Sequence, residues 1–349
     1  MRLPYVLKMI EIDGSQGEGG GQVLRTALSL SLLTQEEVKI INIRAGRSKP
    51  GLRPQHLEAV EAAAAIGRAR ASGAHPDSTA LTFRPAGIHP GGYQFDIGTA
   101  GATTLVLQTI CLPLAMAGAK SSVTITGGTH VKWSPCYHYL ELQWLPFMRR
   151  MGCQADLNME LAGYYPQGDG RMHATIYPGE RIDPLELTER GQLKQIRGLS
   201  AISNLPRHIA KRQREQVLRR IGDRYYLSDI RLAELPSRFK GTLLLLLAEF
   251  EHSQVCYFSL GELGKPAERV ADEAVDALEE FLSTDGAIDQ YLADQVLLPL
   301  AFAHGPTRLR TSKITRHLIT NAAVLRSFLP VQIDIQADLG EPGLVTIKP

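Results

Sequence analysis

The sequence predicts an α/β (α+β) chain of three repeated βαβαββ units in pseudo-threefold arrangement, with a smaller α/β domain inserted before the third. Three observations predict it. A strand, a Gly- or Pro-bearing turn and a helix follow one another around Val38 and again around Val123, and a strand, a short linker and a helix follow from Thr307. The helix ahead of the second such strand carries Leu112-Pro113-Leu114-Ala115-Met116-Ala117, and the helix ahead of the third carries Leu298-Pro299-Leu300-Ala301-Phe302-Ala303. The interval from Val123 to Thr307 exceeds that from Val38 to Val123 by about a hundred residues, enough for a small separate domain. The expected divisions are 1–186 for units one and two, 187–284 for the insert and 285–349 for unit three.

In chain order, a strand at 10–12 leads through a glycine-rich turn to a helix at 23–33, where Leu24, Leu28 and Leu32 form one apolar stripe. Arg25 and Ser29 fall on another face of that helix. A strand over 38–43, a turn through 45–54 and a helix over 55–66 follow. The apolar run 103–119 is a buried helix, since Gln108 and Pro113 interrupt it and argue against a membrane span. A strand at 123–126, a turn through Gly127 and Gly128 to Pro135, and a helix over 139–151 complete the second set. The insert shows its own strands at 195–202, 243–250 and 255–260, and helices at 207–221 and 266–282. A strand at 307–311, a helix at 318–328 and strands at 331–335 and 344–347 close the chain.

Composition excludes several classes. Hydrophobic residues make up 44% and charged residues 21% of 349, so the chain can bury a core and is not disordered. The formal net charge is +2, so bulk charge announces no nucleic acid, and any such partner would need a local patch. Cys111, Cys136, Cys153 and Cys256 form no CxxC pair, which argues against a zinc ribbon and for free thiols in a reducing cytoplasm. No signal peptide is expected at the start, Met1–Lys8 looks like an extension, and no membrane partner is expected.

Four stretches could carry chemistry. Asp13-Gly14-Ser15-Gln16-Gly17-Glu18-Gly19-Gly20-Gly21-Gln22 joins a strand to a helix start, where backbone N–H groups suit phosphate. It is neither a P-loop nor a dinucleotide fingerprint. Glu18 is either a hydrogen-bonded cap or a hard-cation ligand. In the second, Arg44, Arg47, Lys49 and Arg53 crowd ten residues, with Gly46, Pro50 and Gly51 among them and Pro54 next, an anion site at a strand end. Gly98-Thr99-Ala100-Gly101-Ala102-Thr103-Thr104 repeats the first turn more weakly, with Gln108 a buried amide one turn on. The last pairs Tyr291-Leu292-Ala293-Asp294-Gln295 with Thr315-Arg316-His317-Leu318-Ile319-Thr320-Asn321. His317 at a helix start is a cap, a surface group or a nucleophile toward an α-phosphorus. Elsewhere Arg207, Lys211, Arg212, Arg214, Arg219 and Arg220 make a basic helix, either a solvated face or a nucleic-acid surface.

Together these residues resemble the RNA 3′-terminal phosphate cyclases. The resemblance runs through Asp13-Gly14 to Arg25, Arg44-Ala45-Gly46-Arg47, Pro50-Gly51-Leu52, Gln55-His56, the Gly98–Gln108 stretch, Tyr291–Gln295 and His317–Asn321. It implies a nucleotidyl-transfer ligase that uses ATP: a histidine matching His317 takes AMP and releases pyrophosphate, AMP passes to an RNA 3′-terminal phosphate, and the 2′-hydroxyl closes a 2′,3′-cyclic phosphate. It implies phosphate contacts from Arg25, Arg44 and Arg47, help from Gln55, a Mg2+ or Mn2+ ion on Glu18, and a nucleotide pocket lined by Gln108, Tyr291, Leu292, Ala293, Asp294 and Gln295. A homodimer is compatible with these features. The chain departs from the family pattern at His130, Cys136, His138 and Asp169. Three other classes fit less well. They are an RNA-binding or ribosome-assembly relative, disfavoured by His317 and the arginines, a carboxyvinyl transferase, which needs six units, and a lysine-dependent ligase, which needs a Lys-x-Asp-Gly motif.

Overall fold

A computed structural model describes residues 9–349. The expected extension at Met1–Lys8 lies outside the described residues. The first sheet grows from β1 (Ile10–Asp13), α1 (Gly21–Thr34), β2 (Val38–Ile41), α2 (Pro54–Gly67), β3 (Arg70–Ser72) and β4 (Leu81–Arg84). β1 and β2 run parallel with Ile10 opposite Val38, the crossover being α1. β4 is antiparallel to β2 and to β3, so the order is β1-β2-β4-β3. Pro54 sits in the first turn of α2, where its missing N–H costs nothing and its φ is preset for helix.

The next stretch repeats this order of elements. β5 (Gly92–Asp96), α3 (Thr103–Ala115) and β6 (Ser121–Gly127) lead to α4 (Tyr137–Tyr139), a π-turn at Leu140–Trp144 and α5 (Leu145–Arg150), then β7 (Ala155–Leu161) and β8 (Gly170–Ile176). Their sheet order is β5-β6-β8-β7, again with one parallel pair and two antiparallel pairs.

A two-residue strand, β9 (Glu186–Leu187), comes next. It is followed by β10 (Leu193–Ser203), α6 (His208–Ile221), β11 (Leu227–Glu234), β12 (Gly241–Phe250), β13 (Gln254–Leu260) and α7 (Ala267–Leu282). These strands make a sheet of order β11-β10-β12-β13. The sequence did not anticipate β11, an edge strand whose polar side chains are mostly left to solvent. The chain ends with α8 (Gln290–Leu300), β14 (Thr307–Thr311), α9 (Arg316–Phe328), β15 (Gln332–Gln336) and β16 (Gly343–Lys348). β9 pairs parallel with β14, Leu187 opposite Leu309, giving the order β9-β14-β16-β15. The boundary expected at 186/187 therefore falls inside a strand of the C-terminal sheet. Two residues are too few to show the alternation that marks a strand in sequence.

α1 packs on α2, α3 and α9, and α9 packs on α8. The strand β12 explains its own composition. Leu243, Leu245 and Leu247 join the main core, while Leu244, Leu246 and Ala248 meet Val217 of α6 and Val270 and Leu278 of α7 in a second core. Burial on both faces is what an uninterrupted leucine run requires. The basic helix α6 faces acidic α7: Arg212 pairs with Glu268, and Arg220 with Asp272, Asp276 and Glu279. Two of the six cations grouped from sequence are thus spent between helices. All four cysteines are buried free thiols. No helix among the described residues is long and apolar enough to cross a membrane.

Candidate active site

The glycine-rich turn after β1 begins with Asp13, whose Oδ1 accepts from the Ser15 N–H at 2.9 Å, the Ser15 hydroxyl at 2.7 Å and the Asn42 amide at 3.1 Å. Gly17 then takes φ +64°, and a Cβ there would lie 2.1 Å from Thr320 Oγ1. That close approach lets the Glu18 N–H donate to Thr320 Oγ1 at 3.0 Å, and the threonine hydroxyl donates to the Arg316 carbonyl at 2.7 Å. The N-terminal turn is thereby fastened to α9. Gly20 precedes α1 with no side-chain cap and no acidic residue in the first turn, and the Glu18 carboxylate lies against it beside Arg47.

Glu18 and His317 meet at this junction. The Glu18 carboxylate pairs with Arg47 through Oε1, and the same oxygen lies 3.7 Å from His317 Nε2. Its Oε2 is buried without a hydrogen-bond partner. His317 keeps 47% of its side chain exposed, against 13% for Glu18, so the ring faces an opening whose floor is the carboxylate. His317 Nδ1 is hydrogen-bonded to Gln22 Oε1. Burial, then Arg25, then Arg47, push its pKa below the ordinary imidazole value, which keeps the ring neutral and nucleophilic at neutral pH.

Beneath the ring, burial pulls Arg25 down to about 10, which leaves it charged at pH 7. Burial pushes the Asp294 carboxyl up to about 8, against the pull of Arg25 and of a hydrogen bond from Gln22. Asn321 ties the helices together: its amide donates to the Asp294 carbonyl at 2.8 Å, and its Oδ1 accepts from Thr26 at 2.7 Å. α8 is held from the other end by Asp289, which caps it at Tyr291 and Leu292 and accepts from Gln143 of the π-turn at 3.0 Å.

The residues expected at the site fall in different places. His317, Glu18, Arg47, Arg25 and Asp294 come together. Gln108 and Gln295 meet side chain to side chain at 2.9 Å, with Tyr291, 51% exposed, one turn earlier on the same face of α8. Gln55 reaches across to the second glycine-rich turn, where its Oε1 accepts the Ala102 N–H at 3.1 Å. Leu292 and Ala293 correct the expectation that they line a pocket. Both side chains are wholly buried in the main core, because they sit on the inward face of α8. Arg44 folds back, donating through Nη1 to the carbonyls of Lys49 at 2.8 Å and Gly51 at 2.9 Å, so its guanidinium also braces its own loop.

Two residues went unassigned from sequence. Gln22 is one. The other is His56, buried with Nδ1 accepting from the Arg53 N–H at 3.3 Å, while Nε2 lies against Gly21 at the start of α1. Burial and then Arg25, Arg44, Arg53 and Arg47 drive its pKa to about 3, so it is a neutral group among cations. The signal for both was adjacency: each follows directly on a motif already suspected, Gln22 on the glycine run and His56 on Gln55.

The unpartnered Glu18 Oε2 fits a hard cation. Among the described residues no group of three or more His, Cys, Asp or Glu could hold one alone. A cation here would complete its shell with phosphate oxygens and water, the usual manner of Mg2+.

Residues 16–335 match a family model described as RNA 3′-terminal phosphate cyclase. The chain belongs to the RNA 3′-terminal phosphate cyclase family. Relatives bearing that name agree along nearly the whole length. The protein from Gloeothece citriformis is 42% identical, covering 98% of this chain and 99% of its own. That from Ralstonia nicotianae is 44% identical over 94% of each chain. An archaeal relative from Methanopyrus kandleri is 40% identical over 98% and 99%. Among solved structures, the enolpyruvyl transferase NikO from Streptomyces tendae aligns at 12% identity and TM-score 0.36, covering 97% of this chain and 48% of that one, too slight a likeness to carry an argument. In this cyclase-family chain, residues at both ends of the family match, Glu18 and His317, face each other across the site.

Proposed function

We propose that this chain uses ATP to convert an RNA 3′-terminal phosphate to a 2′,3′-cyclic phosphate, through a His317–AMP intermediate and an RNA–adenylate anhydride. The observation that carries the proposal is the neutral His317 ring, with Nε2 beside Glu18 and two guanidiniums, Arg25 and Arg47, close enough to depress its pKa.

In the first step His317 Nε2 attacks the α-phosphorus of ATP. An N–P bond forms, the P–O bond to pyrophosphate breaks, and pyrophosphate leaves with the electron pair. Arg25, Arg47 and the N-terminus of α1 stabilise the charge that gathers on phosphate oxygens. Glu18 would hold Mg2+ or Mn2+, which when bound neutralises phosphate charge. Gln108, Gln295, Asp294 and Tyr291 would border the nucleoside. An oxygen of the RNA terminal phosphate then takes AMP from the histidine, with Gln55, Arg44 and Arg47 holding that phosphate. The adenylate is now a good leaving group. The adjacent 2′-hydroxyl closes on the 3′-phosphorus, losing its proton and expelling AMP, in a step made intramolecular by the substrate itself.

In the architecture that serves this chemistry, 9–185 would be the first two of three βαβαββ repeats about a pseudo-threefold axis, and 188–284 an insertion into the third, after its first strand β9. The shared strand order of three sheets supports that arrangement. A cytoplasmic site of action fits free thiols, and a homodimer is left open.

Incubation with α-labelled ATP and a divalent cation tests the reaction. A protein-bound label that is acid-labile and base-stable, and absent from His317→Ala, is expected. A label that survives that substitution would overturn the assignment.

A further inference from the structure

We infer that Gln22 is a positioning residue that fixes the tautomer of His317, placing the proton on Nδ1 and leaving Nε2 as the nucleophile. The inference rests on the histidine–AMP proposal and deepens it.

The geometry joins α1 to α9 through one polar contact. His317 Nδ1 meets Gln22 Oε1. A carboxamide oxygen can accept a hydrogen bond but has none to give, so the imidazole must donate through Nδ1–H. A neutral imidazole protonated at Nδ1 carries its lone pair on Nε2. That is the nitrogen turned toward Glu18, at 3.7 Å.

The two side chains meet where α1 and α9 are pinned together: Asn321 Oδ1 accepts from the Thr26 hydroxyl at 2.7 Å, and the Glu18 N–H donates to Thr320 Oγ1 at 3.0 Å. A turned-over amide would set an N–H against Nδ1, forcing the proton onto Nε2 and blocking attack, so the tautomer reports which way Gln22 sits.

The arrangement acts most strongly during reaction. As Nε2 forms its bond to phosphorus, the ring becomes a cation and the Nδ1 proton more acidic. The proton stays on Nδ1, and its hydrogen bond to Gln22 becomes charge-assisted, so the contact tightens in the transition state more than in the ground state. Transfer of AMP to the RNA phosphate breaks the N–P bond and returns the ring to the same neutral tautomer.

Long-range proton–nitrogen correlation spectra of 15N-histidine-labelled protein, without nucleotide, read the tautomer directly, with His317 assigned by its loss in His317→Ala. The expected wild-type spectrum shows Nδ1 protonated and Nε2 bare. Gln22→Leu should shift the ring toward the Nε2–H form that free imidazole prefers, and should slow single-turnover self-adenylylation about 10- to 100-fold, the usual cost of losing an orienting partner. Gln22→Glu keeps an acceptor oxygen and should restore the tautomer and most of the rate. A wild-type ring protonated on Nε2, or a Gln22→Leu protein with unchanged tautomer and rate, would overturn the inference. The two ideas fail separately. A wild-type protein that takes up no AMP defeats the histidine–AMP proposal, whereas a wrong tautomer defeats this one even if label is incorporated.

Discussion

The two glycine-rich turns of this chain share a backbone plan and differ in what they leave free. Each carries a strand into a long helix, and each uses a left-handed glycine, Gly17 at φ +64° and Gly98 at φ +66°. At the first turn the start of α1 has no side-chain cap, and the Glu18 carboxylate, Arg25, Arg47 and two neutral imidazoles surround it. At the second the start of α3 is filled. Gln55 takes the Ala102 N–H, the Gly128 carbonyl takes the Thr103 N–H at 2.9 Å, and Ala102, Leu105 and Val131 close an apolar cluster over it. A strand–turn–helix plan therefore supplies an anion site when its first amides are left unpaired, and an ordinary packing joint when they are not.

The largest expected effect breaks that contrast through charge. Glu18→Ala at the first turn should lower single-turnover self-adenylylation by about 10²- to 10³-fold, the scale of removing one preorganised electrostatic group. Thr99→Ala at the second should leave it within about twofold. Equal losses at the two positions would erase the distinction.

A stability comparison sharpens it. Gly17→Ala drives a Cβ to 2.1 Å from Thr320 Oγ1, whereas nothing lies within 4 Å of a Cβ at Gly98. The Gly17 change should cost about 2–3 kcal/mol, from clash added to backbone strain, and the Gly98 change about 1 kcal/mol from the backbone alone. Urea unfolding midpoints for the two variants measure the difference, and a Gly98→Ala protein as weak as Gly17→Ala would show that the α9 contact is not what restricts the first turn.

A third effect concerns acid. Behind the second turn His130 and His138 share a hydrogen bond at 2.9 Å, and burial holds His138 down to about 4. The unfolded chain binds a proton at this position near pH 6.5 and the folded chain does not. Stability from the depressed pKa is therefore present above about pH 6.5 and drains away as pH falls toward 4, by up to about 1.4 kcal/mol per pH unit. Melting temperature should fall between pH 7 and pH 5, and less steeply in His138→Gln. An unchanged slope in that variant would remove His138 from the account.

Much of this was legible in the sequence because the signals were local. The strand at Thr307–Thr311 was bounded correctly from its pattern alone, and helix α7 needed little more than its apolar period. Glu18 and Arg47 stood out as charged groups beside glycines, while the roles of Arg25 and His317 came from the family resemblance. What stayed hidden depends on partners far along the chain. β9 is two residues long and is defined by pairing with β14. Leu292 and Ala293 looked like site residues by their neighbours, yet helix phase turns them inward. Gln22 has no distinguishing feature until α9 brings a histidine to it, and Arg44's bracing of its own carbonyls follows from a loop fold that no periodicity encodes.

The leucine run of β12 bears on how the molecule can move. Lifting that sheet away from the main body would wet Leu243, Leu245 and Leu247, at about 2 kcal/mol apiece. Such an excursion would occupy on the order of one molecule in 10⁴. A swinging-jaw motion about this seam is therefore rarely populated, and rotations of side chains and shifts of the loops around the histidine are the less costly way to admit a ligand.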